Sequence, residues 1–431
     1  MNSGEFVADF PSLGFLGADW IQQHCIIPDG FKKGQPYVMA DWQLWCTLNH
    51  YRVREDARWD PAEPRVSTNF YYRRSQVIAP QKALALDTLI PTPTGWTTMG
   101  EVQPGDIVFD ERGDPTPVLS KSQVWHSDTY RVTFSDGATL TACGDHQWWV
   151  ERRTSSSAYV PDRVRTEDMV GRLVDSGGAR RFRVPVARPL ETAEAELLID
   201  PYVLGAWLGD GCTDDARIVG LDRPIFDRIA DAGYEVRLTS QVKRIQVIGL
   251  KKQLRALGVL GNKHVPAVYL RASSKQRWAL LQGLMDTDGS ADARQGHCEF
   301  TTTLPALRDA MRELLHSLGI KNVCYAGEAT LYGRVTGPKW RISFAARADM
   351  PVFRLERKQA RLKPAGGNHA QFGHRRIVAV DRVATVPTQC LTVEAASHVF
   401  LVGREMIPTC NTGKGPWTAA IIALEGLGPT V

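Results

Sequence analysis

The residues whose side chains could most clearly carry out a reaction lie near the C-terminal end of the sequence, in the stretch that contains Cys390, Asn411 and Thr412. The side-chain amide of an asparagine can attack its own backbone carbonyl, so Asn411 can cleave the chain directly after itself. The Thr412 hydroxyl can accept an acyl group, and the Cys390 thiol can hold that acyl group first. These residue types predict a chain that cuts a segment out of itself and joins the two flanks.

A phosphate-binding loop that is split in two indicates where the other end of this segment lies. The strand-like run SQVIA at residues 75–79 stops at a proline, but a Gly-Lys pair follows only at residues 413–414. Joining Lys82 to Thr412 would give the loop APQKTGKG and then an apolar helix. This joined sequence resembles the phosphate loop of a nucleoside triphosphatase, in which backbone N–H groups and a lysine surround the phosphates. The motif's usual first glycine is replaced by Ala79.

The splice junctions are therefore predicted at Lys82–Ala83 and Asn411–Thr412. The flanks resemble a phage terminase large subunit, which implies that residues 1–82 and 412–431 are fragments of an α/β P-loop ATPase. The spliced host would bind ATP and Mg²⁺ and act with the phage packaging machinery, whereas the broken loop of the unspliced chain would not support ATP hydrolysis. The expected nucleotide-binding residues after splicing are Lys82, Thr412, Gly413 and Lys414.

The residues just inside both junctions have the pattern of short antiparallel strands. Turn pairs alternate with short apolar runs, and TYRVTFSDGATLTAC predicts a hairpin with a Ser-Asp-Gly turn. LIPTPTGWTTMGEVQPGDIVFDERG and DGATLTACGDHQWW resemble the first two splicing blocks of an intein, and VPTQCLTVEAASHVFLVGREMIPTCNT resembles the last two. The resemblance implies an all-β, horseshoe-shaped Hint domain assembled from residues 83–190 and 366–411.

Most inteins begin with Cys or Ser, but Ala83 carries no nucleophile. The sequence instead resembles the class with a Trp-Cys-Thr triplet (class 3), in which an internal cysteine attacks the first junction. The matching residues here are Trp148, Cys390 and Thr409, with His146 two residues before the tryptophan.

The class resemblance implies a reaction that needs no cofactor. Cys390 attacks the carbonyl at the first junction, and His146 gives a proton to the departing nitrogen of Ala83. The acyl group passes to Thr412, Asn411 cyclises, and the flanks are joined by a peptide bond. Holding these groups together in one chain supplies much of the rate.

Four further residues bear on this interpretation. Inteins usually place a histidine before the terminal asparagine, and here that position is Cys410. His398 is an alternative source of the missing assistance. Cys143 and Cys212 are expected to be packing thiols, with no part in the chemistry.

Residues 191–365 differ from their flanks, since they are charged and contain a repeat. LIDPYVLGAWLGDG and RWALLQGLMDTDG each place an apolar helix before Asp-Gly, and Asp200-Pro201 is a helix start signal. The repeat resembles the two signature helices of a LAGLIDADG homing endonuclease. The resemblance implies an α+β domain that cuts double-stranded DNA as a pseudo-twofold monomer, at the intein-less gene of its host.

The same resemblance implies that Asp210 and Asp288 hold Mg²⁺, with Lys263 near the scissile phosphates. Lys339 is a candidate partner for Lys263 in the second repeat. Asp286 is expected to be structural. Residues 350–374 have the composition of a linker back to the Hint domain.

The bulk properties are those of an ordinary soluble protein. The net charge of +5 suits contact with nucleic acid, and 43% of the residues are hydrophobic. Because neither a signal peptide nor an apolar run of 18 residues occurs, we expect no membrane partner and reduced thiols in the cytoplasm of an infected bacterium.

Two other functions fit parts of the sequence. One is a homing endonuclease whose splicing domain is impaired. The other is an ATPase with an inserted DNA-binding domain, which the broken phosphate loop argues against.

Overall fold

A computed structural model describes residues 8–26, 35–39, 41–58, 69–72, 83–220, 222–239, 244–364 and 373–410. The chain divides into two compact units, one of residues 1–81, 396–398 and 412–431 and one of residues 82–395 and 399–411. Several sequence predictions lie outside the described residues: the strand at 75–79, Lys82, Asn411, Thr412, Gly413 and Lys414.

The described part of the first unit is helical. Helix α1 (Gly14–His24) packs against α2 (Asp41–His50), and the buried side chains of Ala18, Ile21 and Met39 form a small apolar cluster beside them. The segment that would carry the phosphate loop lies outside the described residues, so the P-loop fold of the flanks stays a prediction.

The second unit begins with a β-rich segment. Its short strands are bounded by turns, and the predicted hairpin forms, with Gly137 at a positive φ of 85° in the Ser-Asp-Gly turn. The elements of this segment are β1 (Leu84–Ala85), β2 (Leu89–Thr92), β3 (Gly95–Thr98), β4 (Ile107–Phe109), β5 (Pro115–Lys121), β6 (Trp125–His126), β7 (Thr129–Phe134), β8 (Thr139–Cys143), β9 (Gln147–Arg153), β10 (Tyr159–Arg165), α3 (Thr166–Met169) and β11 (Phe182–Pro185).

An α+β segment follows and interrupts the β-rich one. Asp200 caps its first helix as predicted, since its side chain accepts hydrogen bonds from the backbone nitrogens of Tyr202 and Val203 at 2.9 and 3.2 Å. The elements are α4 (Pro201–Asp210), β12 (Arg217–Val219), α5 (Arg223–Asp231), β13 (Val236–Leu238), β14 (Arg244–Val247), α6 (Leu250–Ala256), α7 (Ala267–Leu270), α8 (Ser274–Thr287), β15 (Gly289–Ala291), β16 (His297–Thr302), α9 (Pro305–Ser317), β17 (Asn322–Leu331), β18 (Arg334–Ala345) and α10 (Glu356–Gln359).

The chain then returns to the β-rich domain. The last strands are β19 (His374–Val383), β20 (Pro387–Gln389), β21 (Leu391–Val393), β22 (Val399–Val402) and β23 (Ile407–Cys410). Within the described residues, nine strands from both β-rich segments share one antiparallel sheet in the order β10-β9-β11-β19-β7-β8-β1-β20-β6. The two ends of the predicted insert therefore contribute strands to one domain.

The interrupting segment has its own core and its own sheets. Two sheets of order β12-β14-β13 and β15-β16-β18-β17 accompany α4 and α8, and a large apolar cluster runs from Ile199 to Leu362. A separate cluster, which includes Val132, Trp148 and Phe400, fills the β-rich domain. The two cores indicate a β-rich domain and an α+β domain. The domain predicted to be all-β also contains the short helix α3, whose first turn carries the acidic residues Glu167 and Asp168.

Buried arginines tie the two domains together. Arg375, on β19 of the β-rich domain, pairs with Asp136 in the hairpin turn at 2.6 Å, and its Nη2 lies 3.2 Å from Nδ1 of His316 on α9 of the inserted domain. Arg277, on α8, donates to the backbone oxygens of Leu190 and Ser317. Because a buried guanidinium needs several acceptors, these contacts fix how the domains meet.

Candidate active sites

Ala83, at the predicted first junction, lies between two cysteines. Leu84 pairs with Ala142 of β8 on one side and with Gln389 of β20 on the other. One residue further along, the register sets Ala83 beside Cys143 and Cys390, and these three form a buried cluster. The strand pairing thus delivers both thiols to the residue that follows the predicted scissile bond.

The Cys143 thiol touches the backbone nitrogen of that residue. The N–H of Ala83 donates to Sγ of Cys143 at 3.2 Å, and the N–H of Cys143 donates to the oxygen of Ala83 at 2.9 Å. Burial raises the pKa of the Cys143 thiol. A residue that the sequence suggested was a packing thiol therefore contacts the junction itself.

Ser122 holds the backbone of Cys390 from both directions. The N–H of Cys390 donates to Oγ of Ser122 at 3.1 Å, and the N–H of Ser122 donates to the oxygen of Cys390 at 2.9 Å. The thiol itself donates to the oxygen of Leu391 at 3.3 Å. These contacts fix a buried thiol beside Ala83.

The other predicted members of the triplet meet at His146. Nε2 of His146 lies 2.5 Å from Oγ1 of Thr409, and its ring packs edge-on against Trp148 with centroids 4.9 Å apart. The indole of Trp148 donates to Thr166, whose hydroxyl donates to the backbone oxygen of His146 at 3.1 Å. A short turn joins this group to Cys143, since the N–H of His146 donates to the oxygen of Cys143 at 3.1 Å.

Cys410 ends the last described strand. It is buried and pairs with Val399 in the β22–β23 hairpin. His398 immediately precedes that hairpin with a φ of 55°, in the left-handed region that few side chains adopt. The described residues stop one position before Asn411, so the assistance expected from His398 stays a prediction.

In the inserted domain, α4 and α8 approach until their backbones touch. A Cβ placed on Gly205 would lie 2.4 Å from the oxygen of Leu280, and one placed on Gly283 would lie 2.2 Å from the oxygen of Tyr202. Only glycine allows this approach, which sets the ends of the two helices side by side. Gly205 and Gly283 thus lie in the contact surface of the two helices.

Asp210 and Asp288 end these two helices and lie in one electrostatic cluster with Lys263. Loss of water contact and repulsion by Asp210 raise the pKa of Asp288 to about 6, and loss of water contact also raises the pKa of Asp210. Asp288 keeps an exposed face, so water screens part of this repulsion, but the direction follows from two carboxylates meeting at one interface.

The carboxylate pair fits a divalent cation. Carboxylate oxygens are the ligands that Mg²⁺ prefers, and a cation would offset both the mutual repulsion and the negative ends of the two helix dipoles. Among the described residues, no group of three or more His, Cys, Asp or Glu side chains could hold a metal ion. Asp210 and Asp288 would therefore need water or phosphate oxygens to complete a coordination shell.

Two lysines donate hydrogen bonds to backbone carbonyl oxygens at the C-terminal ends of these helices. Nζ of Lys263 donates to the oxygens of Leu208 and Gly209 at 3.0 and 3.1 Å. Lys358 does the same for α8 and binds four carbonyl oxygens, those of Met285, Asp286, Thr287 and Gly289, at 2.9, 2.7, 3.3 and 2.6 Å. The counterpart of Lys263 is thus Lys358.

The sequence missed Lys358 because its segment looks like a linker. That interpretation is wrong for residues 350–364, which contain α10 and contribute Phe353 and Leu362 to the core. Lys339, the predicted counterpart, lies on β18 opposite Gly327. Phe353 and Leu362, on either side of α10, are the apolar residues that would have identified this segment as structured.

Asp286 has the predicted structural role. It is buried and accepts hydrogen bonds from the hydroxyl of Tyr202 at 2.9 Å and from the backbone nitrogens of Arg354 and Leu355 at 3.1 Å. With these donors its lone pairs are already used inside the domain.

A known domain family matches the second half of the repeat. The LAGLIDADG-like domain covers residues 275–347, from α8 to the end of β18. The chain contains a LAGLIDADG-like domain. The predicted fold class is confirmed as far as a β-rich domain interrupted by an α+β domain, of which residues 275–347 match the LAGLIDADG-like family.

The sequence is also similar to that of a replicative DNA helicase DnaB from Mycobacterium intracellulare. The two are 37% identical over 353 residues, which cover 78% of this chain and 59% of the helicase. This chain therefore spans about three fifths of the length of that relative.

The relative corrects one prediction. The interpretation of the flanks as a phage terminase is wrong, because the chain matches two replicative DNA helicases DnaB. The predicted partnership with phage packaging machinery is therefore wrong as well. The reason for the error is physical: a Gly-Lys phosphate loop before an apolar helix is shared by many ATPases and does not distinguish among them.

Solved structures of two kinds are similar to this chain. A crystal structure of the MchDnaB-1 intein is 17% identical and covers 76% of this chain and 100% of its own, with a TM-score of 0.26. A crystal structure of I-DmoI in complex with DNA and Ca is 13% identical and covers 38% of this chain and 95% of its own, with a TM-score of 0.27. In the described parts of this chain, no helix has the length and apolar character needed to cross a membrane.

Proposed function

We propose that residues 83–411 form a self-splicing intein that carries a nested LAGLIDADG homing endonuclease. The observation that carries this proposal is the position of Ala83, which lies between Cys143 and Cys390, directly before an interior strand of a sheet built from both ends of the insert. The limits of the second compact unit lie next to the predicted junctions, which also supports the proposal.

In the first step, Sγ of Cys390 attacks the carbonyl carbon of Lys82. A C–S bond forms, the Lys82–Ala83 C–N bond breaks, and the nitrogen of Ala83 leaves as an amine that has taken up a proton. Because a peptide amide is stabilised by resonance, this nitrogen needs an acid. His146, held by Thr409 and Trp148, is the acid–base group that the class resemblance assigns to this step.

In the later steps, the acyl group moves from Cys390 to the hydroxyl of Thr412. The side-chain nitrogen of Asn411 then attacks its own carbonyl and releases the insert with a C-terminal succinimide. The ester rearranges to a peptide bond between Lys82 and Thr412. No cofactor enters at any step, because each bond broken is balanced by a bond formed.

The nested domain is proposed to cut double-stranded DNA as a monomer. Asp210 and Asp288 would hold Mg²⁺, which supplies the activation of water for attack on phosphodiesters. Lys263 and Lys358 keep the two helix ends closed so that both carboxylates stay at the shared interface. The match of residues 275–347 to the LAGLIDADG-like family supports a nuclease domain of this kind.

The host is proposed to be a DnaB-type replicative helicase, as the match to such helicases suggests. In the joined protein, nucleotide phosphates would be bound by Lys82, Thr412, Gly413 and Lys414.

The splicing proposal is tested by expressing the whole chain and following it by mass spectrometry. We expect wild-type chain to yield the excised segment 83–411 and a joined product of the two flanks. Cys390→Ala should give neither a joined product nor a free N-terminal flank, and Asn411→Ala should retain the segment on the C-terminal flank. A wild-type chain that stays intact, alongside active DNA cleavage, would favour an endonuclease with an impaired splicing domain.

The nuclease proposal needs its own measurement. Mg²⁺-dependent cleavage of a DNA fragment spanning the uninterrupted host sequence should be lost in Asp210→Asn and Asp288→Asn, while both variants still splice. Cleavage that persists in Asp210→Asn would remove Asp210 from the metal site.

A further inference from the structure

We infer that Cys143 is a catalytic residue of splicing, and that its thiol gives the proton to the nitrogen of Ala83 as the first junction breaks. This inference rests on the proposed splicing function. It changes the assignment of that proton, which the class resemblance gave to His146.

The first argument is an exception in the strand ladder. In a hydrogen-bonded antiparallel pair, each residue donates its N–H to the carbonyl oxygen of the other. Cys143 does donate to the oxygen of Ala83 at 2.9 Å, but Ala83 returns its N–H to the sulfur of Cys143 at 3.2 Å. The carbonyl of Cys143 is engaged by the N–H of His146 at 3.1 Å. A thiol thus replaces a carbonyl at the nitrogen that has to leave.

The replacement matters because the two groups differ in chemistry. A carbonyl can only accept a hydrogen bond, whereas a thiol accepts from an amide N–H and can donate a proton once that nitrogen becomes basic. The nitrogen of Ala83 becomes basic when Cys390 adds to the neighbouring carbonyl carbon and amide resonance is lost. The same contact can then reverse its direction without any movement of the strands.

The step is balanced in protons and electrons. The thiolate of Cys390 forms the C–S bond, and the electron pair of the breaking C–N bond stays on the nitrogen of Ala83. That nitrogen takes the proton of the Cys143 thiol and leaves as an amine. The proton that Cys390 released on ionising restores the thiol of Cys143, so the net reaction converts an amide and a thiol to a thioester and an amine.

The surroundings of Cys143 suit this task. Burial raises the pKa of its thiol, which keeps the proton in place near neutral pH. Cys390 approaches Ala83 from the opposite strand, so the two cysteines are separated by two strand spacings, or about 9–10 Å. Because a disulfide needs Cα atoms within about 7 Å, the two thiols stay separate and can carry out different steps.

His146 has a different set of contacts. Its Nε2 is 2.5 Å from the hydroxyl of Thr409, and its ring lies against Trp148. Its backbone N–H holds the carbonyl of Cys143, which leaves the thiol to meet Ala83. We therefore treat His146 as a residue that positions Cys143 in this step.

The test isolates thioester formation in an Asn411→Ala, Thr412→Ala background, where the acyl group cannot move on and release of residues 1–82 by dithiothreitol reports the first step alone. Cys143→Ala should slow this release by about 100-fold or more, the usual contribution of an acid in place. Cys143→Ser is the decisive variant, because its hydroxyl still accepts from the N–H of Ala83 but is a far weaker acid. We expect it to be at least roughly tenfold slower than wild type. Cys212→Ser, in the inserted domain, is the matched control and should match wild type.

Each outcome decides the matter. If Cys143→Ser reacts at the wild-type rate, the thiol only positions the strand and the inference is overturned. The pH profile of the wild-type chain gives a second test that does not depend on whether a variant folds. Thioester formation should slow at alkaline pH, where Cys143 loses its proton. A rate that keeps rising with pH would contradict the inference. A wild-type chain that releases no flank at any pH would instead reject splicing itself.

Discussion

Replacing Gly283 by alanine tests the helix contact on which the proposed nuclease site depends. In an ordinary helix this change stabilises a protein by about 1 kcal/mol, since alanine is the better helix former. Here the new Cβ would lie 2.2 Å from the oxygen of Tyr202 and 2.7 Å from the nitrogen of Ala206, and both are backbone atoms that cannot turn aside. The helices must separate by about 1 Å, and overpacking of this kind costs about 1–3 kcal/mol. The structure therefore predicts the opposite sign to helix propensity.

The assay is urea unfolding of the Cys390→Ala, Asn411→Ala chain, in which neither junction is expected to break, combined with Mg²⁺-dependent DNA cleavage. Gly283→Ala should lower the free energy of unfolding of the inserted domain and reduce cleavage by about 100-fold, because a shift of about 1 Å moves Asp288 away from Asp210. Gly327→Ala is the matched control, since a Cβ there meets nothing within 4 Å. If Gly283→Ala is as stable as this control or more so, α4 and α8 do not touch as described.

Three other predictions concern the charges of the same unit. In the urea unfolding assay, Arg375→Met should lower the free energy of unfolding by about 3–5 kcal/mol, because it leaves the carboxylate of Asp136 buried and unpaired. The change Arg376→Met, at the exposed neighbouring position, is the control and should alter this free energy by less than about 0.5 kcal/mol. Lys358→Met should cost roughly 2–3 kcal/mol, more than Lys263→Met, because four carbonyls rather than two lose their donor; equal losses would contradict the contacts described. Because the pKa of Asp288 is raised to about 6, protons should compete with Mg²⁺ for this carboxylate below that pH. Titration calorimetry should show the affinity for Mg²⁺ falling by up to about tenfold for each pH unit below about 6. The Asp288→Asn variant should lack this pH dependence. The sign for stability is the reverse: without metal, this carboxyl group favours the folded state most at low pH, and that contribution is lost as the pH rises through about 6.

Local patterns in the sequence were sufficient for much of the fold. The Ser-Asp-Gly turn and the alternating runs predicted the hairpin of β7 and β8, and Asp200-Pro201 predicted the start of α4. The repeated apolar helices before Asp-Gly predicted the pair that ends at Asp210 and Asp288, because such a pattern is read from adjacent residues in the sequence.

Other features depended on contacts that no local pattern reveals. Cys143 looks like any buried thiol until β1 is paired with β8, since only the register brings it to Ala83. Lys358 lies in a segment whose prolines and glycines suggested a linker, and its role depends on four carbonyls supplied by the end of α8 and the start of β15. The host prediction failed because a phosphate loop identifies a chemistry, the binding of phosphates, and not a particular protein.

Splicing as proposed exchanges the bonds at Lys82–Ala83 and Asn411–Thr412 for a bond between Lys82 and Thr412. Its most direct test is fragmentation mass spectrometry of the joined flank product, digested with a protease that leaves lysine bonds intact. The account predicts a peptide that reads SQVIAPQKTGKGPW across the new junction, present in wild type and absent in Cys390→Ala. Flanks that are released but never joined, or a chain that keeps Ala83 attached to Lys82, would contradict it.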